Sequence, residues 1–150
     1  MTMFKHFTIE ELTSSDRARE LGIDNTPDKD SIERLTTLIV EVLDPARELL
    51  GKPIVVTSGY RCSVLNTAVG GQPNSQHTKG EAADLQCYNN KYLFDIIREN
   101  LSFDQLILET KDIFDRNGNK TGVREWVHIS YKKGKNRKQV LRMHNGKTIK

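Results

Sequence analysis

The chain has 150 residues, of which 36% are hydrophobic and 29% charged. This composition belongs to a globular domain able to bury about 68–70% of its unfolded surface without disulfide or metal staples. Its longest apolar run, Leu-Ile-Val-Glu-Val-Leu at 38–43, is too short and too interrupted to span a bilayer. The formal net charge of +3 conceals an asymmetry: residues 132–150 hold eight Lys or Arg and no acid, which leaves 15 basic and 20 acidic residues elsewhere.

The opening residues, MTMFKHFTIEEL, lack the charged-then-apolar pattern of a secretory signal, so cytoplasmic synthesis is expected, with any action outside needing release or separate export. Thr8 followed by Glu11 has the form of a capping box that opens a short helix. Ser14 or Ser15 is placed to cap a second helix that ends at Gly22, and DNTPDK at 24–29 is loop by composition. From Asp30, apolar residues recur at helical spacing: Ile32, Leu35, Leu38, Ile39, Val42, Leu43, Ala46, Leu49 and Leu50. Gly51 stops this long helix, and Pro45 is expected to bend or divide it.

PIVVTS at 53–58 has the β-branched composition of a buried strand ending at Gly59, and SVLNTAV predicts a short helix closed by Gly70 and Gly71. GQPNSQHTKG is loop, and EAADLQCY is a strand. The segment from Asn90 to Glu99 is a helix with Leu93, Ile96 and Ile97 inward, and FDQLILE is a further strand. DRNGNKTG at 115–122 is a turn, with Asn117-Gly118 as a hairpin signal. WVHISY is the next strand, and KQVLRMH is a candidate last one. Helices first and strands later predict an α+β fold with a mainly antiparallel sheet, in a single domain over 1–150.

Three stretches carry residues with chemical use. His77 and Asp84 stand seven positions apart in SQHTKGEAAD. His128 lies among β-formers on a strand face shared with Trp126 and Ser130, where burial is costly unless the imidazole has a partner. Two imidazoles and one carboxylate leave a fourth position open on a tetrahedral zinc, the arrangement of catalytic sites. Glu125, three residues before His128, is a carboxylate that could take a proton from water at such a site. In a regular strand the two residues point to opposite faces, so this role requires a turn or bulge at Glu125. Arg61, just past the strand PIVVTS, could hold a carboxylate or an oxyanion with its fork of donors. Each residue alone has an ordinary alternative: a satisfied histidine, an exposed glutamate, a surface ion pair.

Taken together and in order, SGYR, LN with VGG, S-x-H-x-x-G-x-A-x-D and E-W-x-H resemble the zinc D-alanyl-D-alanine carboxypeptidase-like family, subfamily A of the M15 peptidases, with the hedgehog/DD-peptidase fold. The resemblance runs from Phe7 to Tyr131. It is strongest to the branch found in phage and prophage wall-lytic proteins, and more distant to vancomycin-resistance dipeptidases and the hedgehog signalling domain. It implies one zinc ion held by His77, Asp84 and His128, with Glu125 as general base. It implies Arg61 as an oxyanion or substrate contact and Ser75 as a residue near the substrate. The implied substrates are peptidoglycan peptides, cut by a D,D-carboxypeptidase or an endolysin-type endopeptidase, and a monomer is expected.

The basic 132–150 segment suggests an anionic partner such as a wall polymer, or else a solvated tail. A non-catalytic zinc-stabilised wall-binding domain is the main competing reading, although a structural site needs neither Glu125 nor Arg61. Nucleic-acid binding is disfavoured, because 132–150 lacks the stacking aromatics of a single-strand binder and the chain has no helix-turn-helix or zinc-finger pattern. Cys62 and Cys87 have no metal-type spacing. They read as reduced thiols, with one disulfide as the alternative.

Overall fold

Thr8 and Ser15 open the first two helices as their hydroxyls predict. In the computed structural model, which describes residues 4–149, Thr8 Oγ1 accepts from the Glu11 N–H at the start of α1 (Ile9–Thr13). Ser15 Oγ accepts from the Ala18 N–H at the start of α2 (Asp16–Leu21), and Gly22 closes that helix in the left-handed conformation. Residues 1–3 of the opening stretch and Lys150 of the basic segment lie outside the described residues.

Asp28 caps α3 (Lys29–Leu38), which passes into a π-helical turn (Ile39–Leu43) and then α4 (Asp44–Leu50). Pro45 explains the division. It has no N–H to donate and its ring crowds the carbonyl one turn back, and the wider turn relieves that crowding. The Asp44 N–H bonds to the Ile39 carbonyl, five residues back. The wider turn also retards the helical rotation, so Ala46 and Leu50 face inward while Leu49 turns out, 47% exposed. Ile32, in the first turns of α3, is also exposed, so two of the nine expected inward residues are not in the core. The other seven pack with Phe7, Leu12 and Phe103 into a buried apolar cluster.

The strands form one six-stranded sheet in the order β1-β2-β4-β3-β5-β6. β1 is Val55–Ser58, β2 Ala82–Gln86, β3 Gln105–Phe114, β4 Lys120–Ser130, β5 Gln139–His144 and β6 Lys147–Ile149. All pairings are antiparallel except β3 with β5. The architecture is thus α+β, as expected. Between the strands lie α5 (Ser63–Ala68), a 3₁₀ turn (Gln76–Lys79) and α6 (Asn90–Asn100). α6 buries Leu93, Phe94, Ile96 and Ile97 against the sheet.

Three expectations are corrected here. PIVVTS is not a buried strand: β1 is an edge, with Val55 60% exposed, and its β-branched composition reflects pleat preference rather than depth. DRNGNKTG is a turn only at 115–119, because β4 begins at Lys120, six residues before Trp126. The β3–β4 hairpin projects past the rest of the sheet, so residues 120–124 have no core to face and no apolar alternation to betray them. The basic segment is not a tail: residues 139–144 and 147–149 are strands, and the second was not foreseen.

Candidate metal centre

His77, Asp84 and His128 arrive at one point by three routes. Asp84 on β2 and His128 on β4 are directly paired in register, so the ladder itself sets their separation. His77 comes from the 3₁₀ turn that precedes β2. Ser75 caps this turn, its Oγ accepting from the His77 N–H at 3.2 Å, and Gly80 ends it with φ +77°. A Cβ at position 80 would lie 2.7 Å from the Ser31 carbonyl oxygen, so only glycine allows the chain to turn so close to α3. Ala82 and Ala83 are fully buried at the start of β2.

The ligand atoms of the three residues lie within 4.8 Å of one another. Asp84 Oδ1 is 3.4 Å from His77 Nε2 and 3.2 Å from His128 Nδ1. With metal–ligand bonds of about 2.0–2.2 Å, the edges of a tetrahedron are about 3.3–3.6 Å, so both separations are close to those of ligands around one ion. The His77 Nδ1–H donates to the Gly59 carbonyl at 2.8 Å, which fixes the tautomer and leaves the Nε2 lone pair toward Asp84. The two rings meet edge to face, with centroids 5.3 Å apart. Burial pushes the Asp84 carboxyl up, but the two imidazoles beside it outweigh burial and hold it well below the usual carboxylate range. The donor set is that of a borderline-soft divalent cation, and the residues present fit one.

A cleft of about 770 Å³ opens over the cluster, and Arg61, Ser75, Glu109 and Trp126 also line it. Arg61 is held from both sides: its Nη1 and Nη2 each donate at 3.4 Å, to Ser58 Oγ and Ser75 Oγ, while its backbone N–H donates to the His77 carbonyl. Its Nε is buried and has no partner among the described residues. Burial pulls its guanidinium below the ordinary value, with Asp84 opposing. Ser75, expected near the substrate, spends its hydroxyl on His77 and Arg61 while lining the cleft.

Glu125 does not reach this site. It pairs with Thr110 inside an unbroken stretch of the β3–β4 ladder, whose one irregularity lies at Ile113/Phe114. With no bulge near it, strand alternation puts Glu125 on the face opposite Trp126 and His128, on the side of Cys87. The turn or bulge that its proposed role requires is absent because β4 starts earlier than the sequence suggested.

Two features went unnoticed in the sequence. Glu109, the last residue of FDQLILE, pairs with Trp126 and accepts from its Nε1–H at 3.2 Å. Burial pushes the Glu109 carboxyl up, partly offset by His128. Its place beside His128 follows from the pairing of Ile107 with His128 and of Glu109 with Trp126, a cross-strand relation with no local signal in the sequence. The second feature is a brace on the His77 turn. Asp104, fully buried, accepts from Gln76 Nε2 at 2.6 Å and from the Arg137 backbone N–H, Nε and Nη2 at 2.9–3.0 Å. The Arg137 guanidinium, with the other two bonds, holds the Asp104 carboxyl down to about 2.

Cys62 and Cys87 are both free; the Cys62 Sγ instead caps α5, accepting from the Leu65 N–H. No helix among the described residues is long and apolar enough to cross a membrane. In comparison with known proteins, a family model described as Peptidase M15 matches residues 5–130. No curated protein matches the chain.

Proposed function

Because the chain belongs to the peptidase M15 family, we propose that it is a zinc-dependent peptidase that hydrolyses an amide bond beside a D-amino acid in peptidoglycan stem peptides. It would act as a D,D-carboxypeptidase or an endolysin-type endopeptidase, on the wall, after release or export. The observation that carries this reading is the His77–Asp84–His128 cluster at the floor of an open cleft with Arg61 at its side. A metal buried for structure alone would have its fourth position closed by protein.

His77, Asp84 and His128 would hold the zinc ion. When bound, zinc acidifies water and polarises a carbonyl, the two requirements for attacking an unactivated amide. The remaining work falls to the protein. The Gly59 carbonyl and the Ser75 hydroxyl fix the His77 ring and turn. Arg61, aimed by Ser58 and Ser75, supplies positive charge for a substrate carboxylate or for the carbonyl oxygen as it becomes negative. Its prior bonds to two hydroxyls mean that little reorganisation accompanies binding.

Incubation of the zinc-loaded chain with defined muropeptides, read by mass spectrometry, tests this reading and identifies the bond. The expected result is cleavage at one amide beside a D-residue, stopped by a chelator and restored by zinc. Intact stem peptides in the presence of zinc-loaded protein would overturn it in favour of a non-catalytic wall-binding domain.

We also propose that the lysines at 132, 133 and 135 meet anionic wall polymers; with Arg34 they line a groove against α3. Binding to purified walls should then weaken as ionic strength rises past about 0.15 M. Binding that ignores both salt and neutralisation of these lysines would sink the idea.

A further inference from the structure

The sheet register separates two glutamates that the sequence could not tell apart. His128 stands opposite Ile107, and Trp126 stands opposite Glu109. Glu109 is therefore the diagonal neighbour of His128 on the same face, about 7–8 Å away between backbones. A glutamate side chain spans most of that distance, and both residues line the cleft with His77 and Asp84. One carboxylate oxygen, Oε2, is tethered by Trp126 Nε1. The other, Oε1, has no hydrogen-bond partner among the described residues. Glu109 does not bond His128, so nothing in the geometry makes it a mere orienter of that ring. Glu125 faces the opposite side of the sheet, and no rotamer can carry its carboxylate through β4.

We propose that Glu109, and not Glu125, is the carboxylate that moves the proton during hydrolysis. This rests on the metallopeptidase reading of the same site. In the reaction an O–H bond of the attacking water breaks and its proton passes to Glu109 Oε1, while the water oxygen bonds to the scissile carbonyl carbon. The C–N bond then breaks, its electron pair stays on nitrogen, and Glu109 returns the proton there. The products are a carboxylic acid and an amine, and Glu109 ends as it began. Trp126 is a positioning residue: its indole N–H fixes one oxygen and so aims the other into the cleft.

The test uses the full chain with Glu109→Gln, Glu109→Asp and Glu125→Gln. Glu109→Gln keeps an acceptor for Trp126 but cannot take a proton. Its kcat on a cleaved muropeptide should fall by about 10²–10⁴, with zinc stoichiometry unchanged and zinc Kd within about threefold. Glu109→Asp should recover part of the loss, and Glu125→Gln should stay within about threefold of the parent. A second readout needs no substrate. With cobalt(II) in place of zinc, the visible spectrum titrates with pH, and Glu109→Gln should move its midpoint by about one unit while Glu125→Gln leaves it. This arm holds even if no muropeptide is cut, so failure of the substrate reading and failure of the glutamate assignment are distinguishable. The opposite pattern, with Glu125→Gln inactive or shifted and Glu109→Gln not, would overturn the proposal. A drop of about 10-fold or more in metal affinity for Glu109→Gln would overturn it too, since that marks a residue that orients a ligand.

Discussion

The two faces of β4 do opposite work with alternate residues. On one face Val127 and Ile129 are fully buried in the apolar cluster, where α6 also packs its inward residues. On the other, Trp126 and His128 look into the cleft with Asp84 and Glu109 across the ladder. One face is defined by the absence of polar groups, the other by polar groups bonded to one another. A strand's period of two therefore lets stability and chemistry be altered independently, residue by residue.

The largest effect should come from the cleft face. His77→Ala or Asp84→Ala removes one of the three proposed ligands, so zinc stoichiometry by elemental analysis should fall toward zero and hydrolysis should vanish, while the helical circular dichroism survives. Next comes the core face. Ile129→Ala should cost about 2–5 kcal/mol of stability in urea titration and leave metal stoichiometry intact. If either variant produced the other's phenotype, the division of labour between faces would be wrong.

That division also shows where the sequence was legible. The long α3–α4 stripe, the caps at Thr8, Ser15 and Gly22, and the α6 face could be read because each is a local pattern with a local cause. The convergence of His77, Asp84 and His128 could be expected from residue type and likeness to a family. Glu125 misled because its place hangs on where β4 begins, and residues 120–124 are strand by pairing with β3 alone. Glu109 was hidden for the same reason: its relation to His128 exists only across the ladder. The second cause of illegibility is depth. β1 has the composition of a core strand and stands at an edge, because β-branched side chains report the pleat and not the burial.

A third, smaller effect sharpens the comparison at the rim between the faces. Asp104→Asn leaves Gln76 and Arg137 facing a neutral acceptor and should cost about 1.5–3 kcal/mol, the range for bonds to a charged group. Its folded-state pKa lies below the ordinary carboxylate value, at about 2. The carboxylate's contribution is therefore complete above about pH 4 and is lost as pH falls toward 2. Parent and variant stabilities, compared by denaturation at a series of pH values, should converge over that window; a constant gap would refute the assignment. The smallest effect is remote from both faces. Thr8→Ala removes the α1 cap and should cost about 0.5–2 kcal/mol with no change in zinc affinity, measured on the same samples.

The Asp104 brace also bears on where this unit can be cut. All three side chains of the candidate metal centre lie inside the stretch matched by the family model, residues 5–130, yet Arg137 lies outside it. Asp84 and His128 are set against each other by strand pairing, whereas His77 depends on a turn tied through Gln76 and Asp104 to Arg137. During synthesis Asp84 and His128 can meet once β4 has paired and Gly59 and Ser75 can already hold His77, but the Gln76–Asp104 link gains its charged partner only after residue 137 has left the ribosome. A fragment trimmed at the motif boundary would keep every side chain of the candidate centre and lose one of the bonds that steady the His77 turn.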